Sequence, residues 1–507
     1  MEVLIIGAGT TGLLLAQGLK QTADEASALK PQAGIPTTIC ERDSGDRYKH
    51  RQREWGMTLH WGSEALGKVL LPELRQRLHE ACCDPFHTPA EKDGFLFSYA
   101  GHTGELLFKT PAPNARSVSR SKMRRLFGEG LDIQYGRRLA RIEKQDSRVT
   151  AHFEGGESVT ADLIVGCDGA KSAVRGTLVD AEAARVSTMD INMFNFPAKF
   201  SAETSRLIRA QQPIFFNSLH PNGYLFMLRV QDVLDPADAT TWKFQILFTW
   251  QGPPFVEELD TQKKRTAWLR GKSAEYAEPW RTVLSQIPGD ATFGIDRTTL
   301  WKPVDWSSAP LAGQVTCAGD AAHAMPPFRG QGLNNGLEDA AQLTERLVKV
   351  KADAGRWREA VLEYDEEMRA RGVREVDISQ QSALMLHDYD KVVGLLVVRP
   401  SCSRFFVDLS IARESARQDG DRKVARGRSQ MRGRQEGNPL FRTDYQMTTH
   451  DSIGSACIPV LFLESNEVES AAIFLGIGLL RSGILPEMAV GLQRRIVSNR
   501  FIGRSCE

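Results

Sequence analysis

The chain carries almost no net charge: 64 Lys and Arg stand against 63 Asp and Glu, a formal charge of +1. That balance excludes a chain-wide attraction to nucleic acid or to a strongly anionic partner. Cysteine is scarce and scattered, 8 in 507 residues, with Cys82 and Cys83 adjacent and no CxxC. A disulfide framework is therefore not expected, and free thiols in a reducing, cytoplasmic setting are. The 10 histidines form neither HExxH nor a Cys/His ligand cluster, so no metal site is expected. No basic flank or cleavage pattern marks a signal peptide at the N-terminus. Long apolar runs are missing too. Ala471–Leu480 ends at Arg481, well short of the ~20 residues that span a bilayer. A packing helix is expected there, with membrane-surface attachment as the alternative. What is present, 41% hydrophobic and 25% charged residues, describes an ordinary globular chain long enough for two or three domains. There is no internal repeat.

The first motif begins almost at once. Val3-Leu4-Ile5-Ile6 is a continuous apolar run, as in a strand buried on both faces. Gly7-Ala8-Gly9-Thr10-Thr11-Gly12 follows, and Leu13-Leu14-Leu15-Ala16 opens a helix. This is the GxGxxG dinucleotide pattern in its strand–turn–helix setting. Gly7 makes the tight turn, Gly9 admits a pyrophosphate, and Gly12 lets the helix lie close to the strand. A second strand, Thr37–Cys40, leads to Glu41, a candidate acceptor for the adenosine ribose hydroxyls. Glu41 follows Gly12 by 29 residues, against a usual spacing of about 20. The excess falls in the polar stretch Asp24 to Pro36, read as a surface insertion. A surface glutamate beside Arg42 and Asp43 is the other reading. Within the basic and aromatic stretch His50–Trp61, Arg53 is a candidate for neutralising cofactor phosphate, or else an exposed arginine. Residues 62–80 carry a leucine stripe at helical spacing.

The second motif is Cys317-Ala318-Gly319-Asp320 through Gly330-Gln331-Gly332-Leu333-Asn334-Asn335. It reads as a strand end, a stiff loop with Pro326 and Pro327, and a helix with apolar residues at Leu333, Leu337, Ala340, Ala341 and Leu347. A helix N-terminus offers free amides and positive potential. That suits a ligand that becomes anionic in one redox state, such as the N1–C2=O edge of a reduced flavin. Asp320 is suited to accept bonds from ribityl hydroxyls. Between the two motifs lie a hairpin over Phe95–Phe108, a capped helix start at Ser119 with Arg120 in its first turn, and the strand–turn–helix segment Ala161–Arg175, which contains Asp168.

The blocks GAGTTG from Gly7, DGAKSAVR from Asp168 and GDAAHAMPPFRGQGLNNGLEDA from Gly319 occur in the order found in class A flavoprotein monooxygenases. The chain resembles this para-hydroxybenzoate and salicylate hydroxylase-like family, nearest to its fungal secondary-metabolism members. The resemblance implies an α/β fold: a doubly wound, Rossmann-like FAD domain, an inserted β-rich substrate domain and a mainly helical C-terminal region. The expected division is 1–180 for the first part of the FAD domain, with a substrate-domain excursion near 80–110, then 181–295 for the substrate sheet, 296–375 for the second part, and 376–507 for the C-terminal region. In the substrate domain Met189–Pro197, Tyr224–Val230 and Lys243–Trp250 read as strands. Phe215, Phe216, Phe226, Phe244, Phe248 and Trp250 either line an apolar pocket or pack inside.

The implied activity is insertion of one oxygen atom from O2 into an aromatic or polyketide-like metabolite through a flavin C4a-hydroperoxide. The implied cofactor is non-covalent FAD, with NADPH or NADH as co-substrate. By the same resemblance Asp168 serves FAD and the transient nicotinamide dinucleotide, Arg120 lies beside the flavin, and the Gly330–Asn334 loop, with Gly332 and Leu333, meets the isoalloxazine. No base is identifiable; His220 and Tyr224 are the candidates for a substrate-orienting acid or base. The rival readings are another enzyme on the same scaffold (halogenase, reductase or flavin-dependent rearrangement) and a flavin-binding protein without turnover.

Overall fold

A five-stranded parallel sheet forms around the apolar N-terminal strand Val3–Ile6. Its order is Val315–Cys317, Leu163–Gly166, Val3–Ile6, Thr37–Glu41, Ile133–Tyr135. The central strands are buried at every position, which is why Val3–Ile6 and Leu163–Gly166 read as unbroken apolar runs. The structure is a computed structural model and describes residues 1–20, 34–51, 54–88, 94–212, 214–253, 257–351, 353 and 355–398. All of these belong to one contact unit, Met1–Arg426. The expected insertion at Asp24–Pro36 largely, and Ala471–Leu480 entirely, lie outside the described residues.

The helices Thr10–Lys20 and Gln331–Lys349 lie against each other. Small residues permit this: a Cβ on Gly336 would sit 2.4 Å from Thr11 Oγ1, and one on Gly18 2.6 Å from Thr344 Oγ1. The crossover from Ile133–Tyr135 to Leu163–Gly166 departs from a doubly wound unit. Instead of a helix it contains an antiparallel meander, Leu139–Gln145, Arg148–Phe153 and Ser158–Ala161. The turns at Asp146 (φ 52°) and Gly156 (φ 88°) fold it back on itself. Val149, Ala151 and Phe153 then join the same core as the parallel sheet.

The chain leaves this core twice to build a seven-stranded sheet. Its order is Asp296–Leu300, Ser187–Ala198, Lys243–Gln251, Tyr224–Asp232, Phe215–His220, Phe95–Ala100, Leu106–Pro111. The leucine stripe at 62–80 is not one helix. Pro72 opens a new turn after extended Leu71, giving Ser63–Val69, Pro72–Gln76 and a short 3-10 turn at Leu78–Ala81. The helix Trp357–Leu386 runs unbroken across 375/376, where a separate C-terminal region is expected to begin. Buried Tyr364, Met368, Val376 and Ala383 on both sides of that point hold it as one element. Among the described residues no helix is long and apolar enough to cross a membrane.

Candidate active site

The glycine-rich turn joins Val3–Ile6 to Thr10–Lys20 at the carboxyl end of the parallel sheet. Gly7 has φ 110°, and a Cβ there would meet Cys167 O at 2.4 Å; one on Gly12 would meet Gly7 O at 2.2 Å. Those two glycines are required by the protein's own packing. Around Gly9 the nearest such atom, Cys167 O, is 3.9 Å away, leaving room for a ligand at the helix N-terminus. Glu41, at the end of the neighbouring strand, is buried. Its carboxylate accepts from Ala8 N (3.1 Å), Asp43 N (3.0 Å) and Arg51 Nη2 (2.9 Å). A carboxylate has roughly four acceptor positions, so capacity for one further donor remains. Tyr48 donates to Ala8 O at 2.7 Å, and Arg51 also pairs with Asp43. Arg53 lies outside the described residues.

The Asp168 turn follows the strand Leu163–Gly166. Asp168 Oδ2 accepts from Ala173 N (2.7 Å) and Val174 N (3.3 Å), while Oδ1 is buried and has no partner. Burial raises its pKa. Arg175 extends from this turn to donate to Ala321 O at 2.9 Å, tying the Asp168 turn to the Asp320 turn.

Asp320 begins the short helix Asp320–His323 and is exposed, with no side-chain partner among the described residues. A Cβ on Gly332 would lie 3.7 Å from Asp320 Oδ1, so this carboxylate adjoins the start of the helix Gln331–Lys349. Gly330 caps that helix in the left-handed region (φ 63°, ψ 26°), where glycine carries no Cβ penalty. The first-turn amides of Gln331, Gly332 and Leu333 precede any intrahelical partner. Leu333 packs against the core.

Asn334 departs from the expectation of direct cofactor contact. It is fully buried, and its amide is used by the protein. Oδ1 accepts from His60 N (2.9 Å) and Gly62 N (3.1 Å), while Nδ2 donates to Thr58 O (3.0 Å) and Gly330 O (2.9 Å). It clamps the Gly330 loop to the Gly56–Leu59 strand. Arg120 is half-buried at the start of the helix Arg120–Phe127, its amide bonded to Trp55 O.

A buried ionic network that sequence reasoning missed holds the Gly319 turn. Asp339 Oδ2 accepts from Gly319 N (2.7 Å) and pairs with His323 Nε2 (2.6 Å); Oδ1 takes Arg371 Nη2 at 2.7 Å. Arg371 also reaches Asn335 Oδ1 at 3.1 Å. Burial pushes the Asp339 carboxyl up, but His323 and Arg371 outweigh it and hold the pKa down at about 2. Arg371 closes the charged run Glu363–Arg371 on its helix, yet it is buried. Helical spacing marks Arg371, but nothing local pairs it with Asp339.

Between the Gly330 loop and the seven-stranded sheet lies a cavity of ≈ 130 Å³. Thr58, His60, Gly330 and Gln331 line one side; Leu96, Ser98, Phe215 and Asn217 line the sheet side. Ser98 and Asn217 are register partners on adjacent parallel strands. Asn217 Oδ1 is buried without a hydrogen-bond partner. His60 is pushed toward its neutral form by burial. Arg229, one strand over, donates to Thr58 Oγ1 (2.9 Å) and lies 4.8 Å from the centre of the Phe215 ring. Of the six aromatics weighed for the pocket, Phe215 lines it; Phe216, Phe226, Phe244, Phe248 and Trp250 are in a separate core.

His220 and Tyr224 do not reach this cavity. They occupy the opposite ends of their strands from Phe215 and Arg229, about 17 Å from those two residues at ~3.3 Å per residue. Both are engaged there: His220 Nδ1 accepts from Asn222 N (3.1 Å), which leaves Nε2 to donate to Glu275 O (3.0 Å), and Tyr224 Oη accepts from Lys272 Nζ (2.9 Å). They are structural, and no acid or base emerges from them.

A protein family described as "FAD binding domain" matches residues 119–379. The chain is 34% identical over 395 residues to the FAD-dependent monooxygenase cctM of Talaromyces islandicus, covering 77% of this chain and 94% of that one. It is 32% identical over 396 residues to the FAD-dependent monooxygenase phnB of Penicillium herquei, covering 77% and 92%. Among solved structures, Klebsiella pneumoniae HpxO complexed with FAD and uric acid superposes with a TM-score of 0.62 at 19% identity, over 80% of this chain and 95% of that one.

Proposed function

The chain belongs to the class A FAD-dependent monooxygenases, alongside fungal members of that family, and on that premise we propose that it inserts one atom of O2 into an aromatic or polyketide-like secondary metabolite, with NADPH or NADH as electron donor. The observation that carries this reading is the cavity. It opens directly on Gly330 and Gln331, where the helix N-terminus would meet the flavin, and its far wall is an apolar sheet face with two polar side chains, Ser98 and Asn217. A flat, oxygenated ring fits such a wall: Phe215 and Leu96 take its faces and Asn217 takes a hydroxyl or carbonyl.

The residues fit FAD. Gly9 has the open space a pyrophosphate needs, Glu41 has an acceptor position for the ribose, and Asp320 is an exposed carboxylate for the ribityl hydroxyls. Gly7 and Gly12 shape the turn. Arg120 would lie on the flavin side, and the unpaired Asp168 Oδ1 would serve FAD and the passing nicotinamide. Amides of Gln331, Gly332 and Leu333 stabilise negative charge on the ring edge. Bound FAD supplies the redox chemistry, from nicotinamide oxidation to oxygen transfer. The protein's share is to orient substrate against Asn217 and exclude water from the cavity. In this reading 1–180 and 296–375 form the cofactor part, and 181–295, with the hairpin Phe95–Pro111, forms the substrate side.

The test is turnover of a panel of aromatic and polyketide metabolites with NADPH or NADH under isotopically labelled O2. One labelled oxygen atom in the product, with nicotinamide oxidation accelerated by that compound, is expected. A product oxygen taken wholly from water, or product formed without O2 or nicotinamide, overturns the reading.

A further inference from the structure

The helix Arg120–Phe127 places two arginines one turn apart, and the second is a buried cation with no counter-charge. Arg124 is 4% exposed. Its Nε and Nη1 are buried without hydrogen-bond partners, and among the described residues no carboxylate pairs with it. Its guanidinium lies 4.7 Å from the centre of the Tyr48 ring. The Arg51 guanidinium lies 5.1 Å from the same ring, but Arg51 is neutralised by Glu41 and Asp43. Burial draws the Arg124 pKa down, and Arg51 and Arg120 add to that; Tyr48 and Glu54 oppose it. Glu54 is engaged elsewhere, accepting from Ser119 Oγ (2.9 Å) and Ser121 N (2.7 Å).

A guanidinium cannot shed its proton to relieve this, so it needs an anion. Its position says which one. Tyr48, under Arg124, donates to Ala8 O, inside the turn where Gly9 leaves open space. Glu41, one residue of the same cluster, is the ribose acceptor. Arg124 thus faces the adenosine half of the groove. We infer that Arg124 binds the adenylate phosphate of FAD and is the residue by which this groove prefers the dinucleotide to FMN. The inference rests on the FAD reading above and adds to it a residue that no motif marks: arginine forks match phosphate oxygens, and a desolvated pair is stronger than an exposed one.

The test measures binding, with no turnover involved. FAD, FMN, ADP and adenosine are titrated onto the full-length chain stripped of flavin, for wild type, R124M and R124K, by flavin fluorescence and by competition. R124M should raise the FAD Kd about tenfold or more, leave the FMN Kd within about twofold, and abolish the preference for ADP over adenosine. R124K keeps the charge but loses the fork and should fall between. An unchanged FAD Kd in either variant, or equal losses for FAD and FMN, makes Arg124 a packing residue and overturns the proposal. If R124M does not fold, R124K alone decides by the same two comparisons. A wild-type chain that binds no FAD defeats the functional reading itself, a result distinct from any variant-specific loss.

Discussion

The five-stranded parallel sheet offers its ligand surface at strand ends, whereas the seven-stranded sheet offers a face. At the strand ends the contacts proposed for the cofactor come from turns: Gly9, Asp168, Asp320 and the amides after Gly330. Each turn is a short run of sequence whose glycines and caps are dictated by backbone geometry, as the close approaches at Gly7 and Gly12 illustrate. On the sheet face the wall comes from alternate residues on separate strands, Leu96 and Ser98 on one and Phe215 and Asn217 on the next. No backbone requirement fixes those side chains. The cofactor groove is therefore constrained by main-chain shape, and the cavity is free to vary by side chain. Substitutions in the two regions should separate folding, cofactor binding and substrate binding.

The largest effect is expected at Asp339→Asn, which strips the charge holding the Gly319 turn. Arg371 would keep only Glu367 and Asn335, and His323 would lose its carboxylate, a loss of about 3 kcal/mol, readable as a fall in denaturation midpoint together with FAD loss. The pH dependence follows from the sign. Asp339 has a folded pKa depressed to about 2, so its stabilisation is complete above the ordinary carboxylate pKa of about 4 and is lost as pH falls through about 2. Wild type should lose stability over that window more steeply than the variant. Equal stability of the two at pH 7 would mean that the strand-end region does not depend on this network.

Asp320→Ala should come next. The side chain is exposed and unpartnered among the described residues, so folding should be intact while FAD affinity falls about tenfold, the scale of one or two lost hydrogen bonds. Full FAD retention in equilibrium dialysis would remove Asp320 from the groove. Asn217→Leu should act on the face alone. FAD content should be unchanged, while KM for the substrate found by the labelled-O2 screen rises several-fold, about 1 kcal/mol. Loss of FAD from this variant would break the separation between the two regions. Smallest of all is His220→Gln. Its ring bonds are local to Asn222 and Glu275, so kcat/KM should stay within about twofold, and a loss of a hundredfold would restore it as a catalytic residue.

The strands of both sheets were legible to different degrees. Tyr224–Val230 and Lys243–Trp250 are found as Tyr224–Asp232 and Lys243–Gln251, because β-branched and aromatic runs buried on both faces carry a strong local signal. The meander at 139–161 stands where a crossover helix would, and no local signal announces it, since crossover choice depends on what covers the sheet. The 62–80 stripe misled because leucine spacing ignores the break at Pro72. His220 and Tyr224 drew attention by residue type; their positions at the far strand ends follow from pairing register.

What the sequence determined by itself was the set of turns proposed to hold the cofactor: GAGTTG, the Asp168 turn, and the run from Gly319 to Asn335. Those residues act through local backbone conformation, and conformation at a turn is set by neighbours a few positions away. Tertiary structure alone decided that Asn334 is a clamp, that Asp339 meets Arg371 across 32 positions, that Ser98 and Asn217 share one wall, and that Arg124 is left buried and unpaired. Burial and charge balance depend on what the rest of the chain brings alongside a residue, and no window of local sequence contains that.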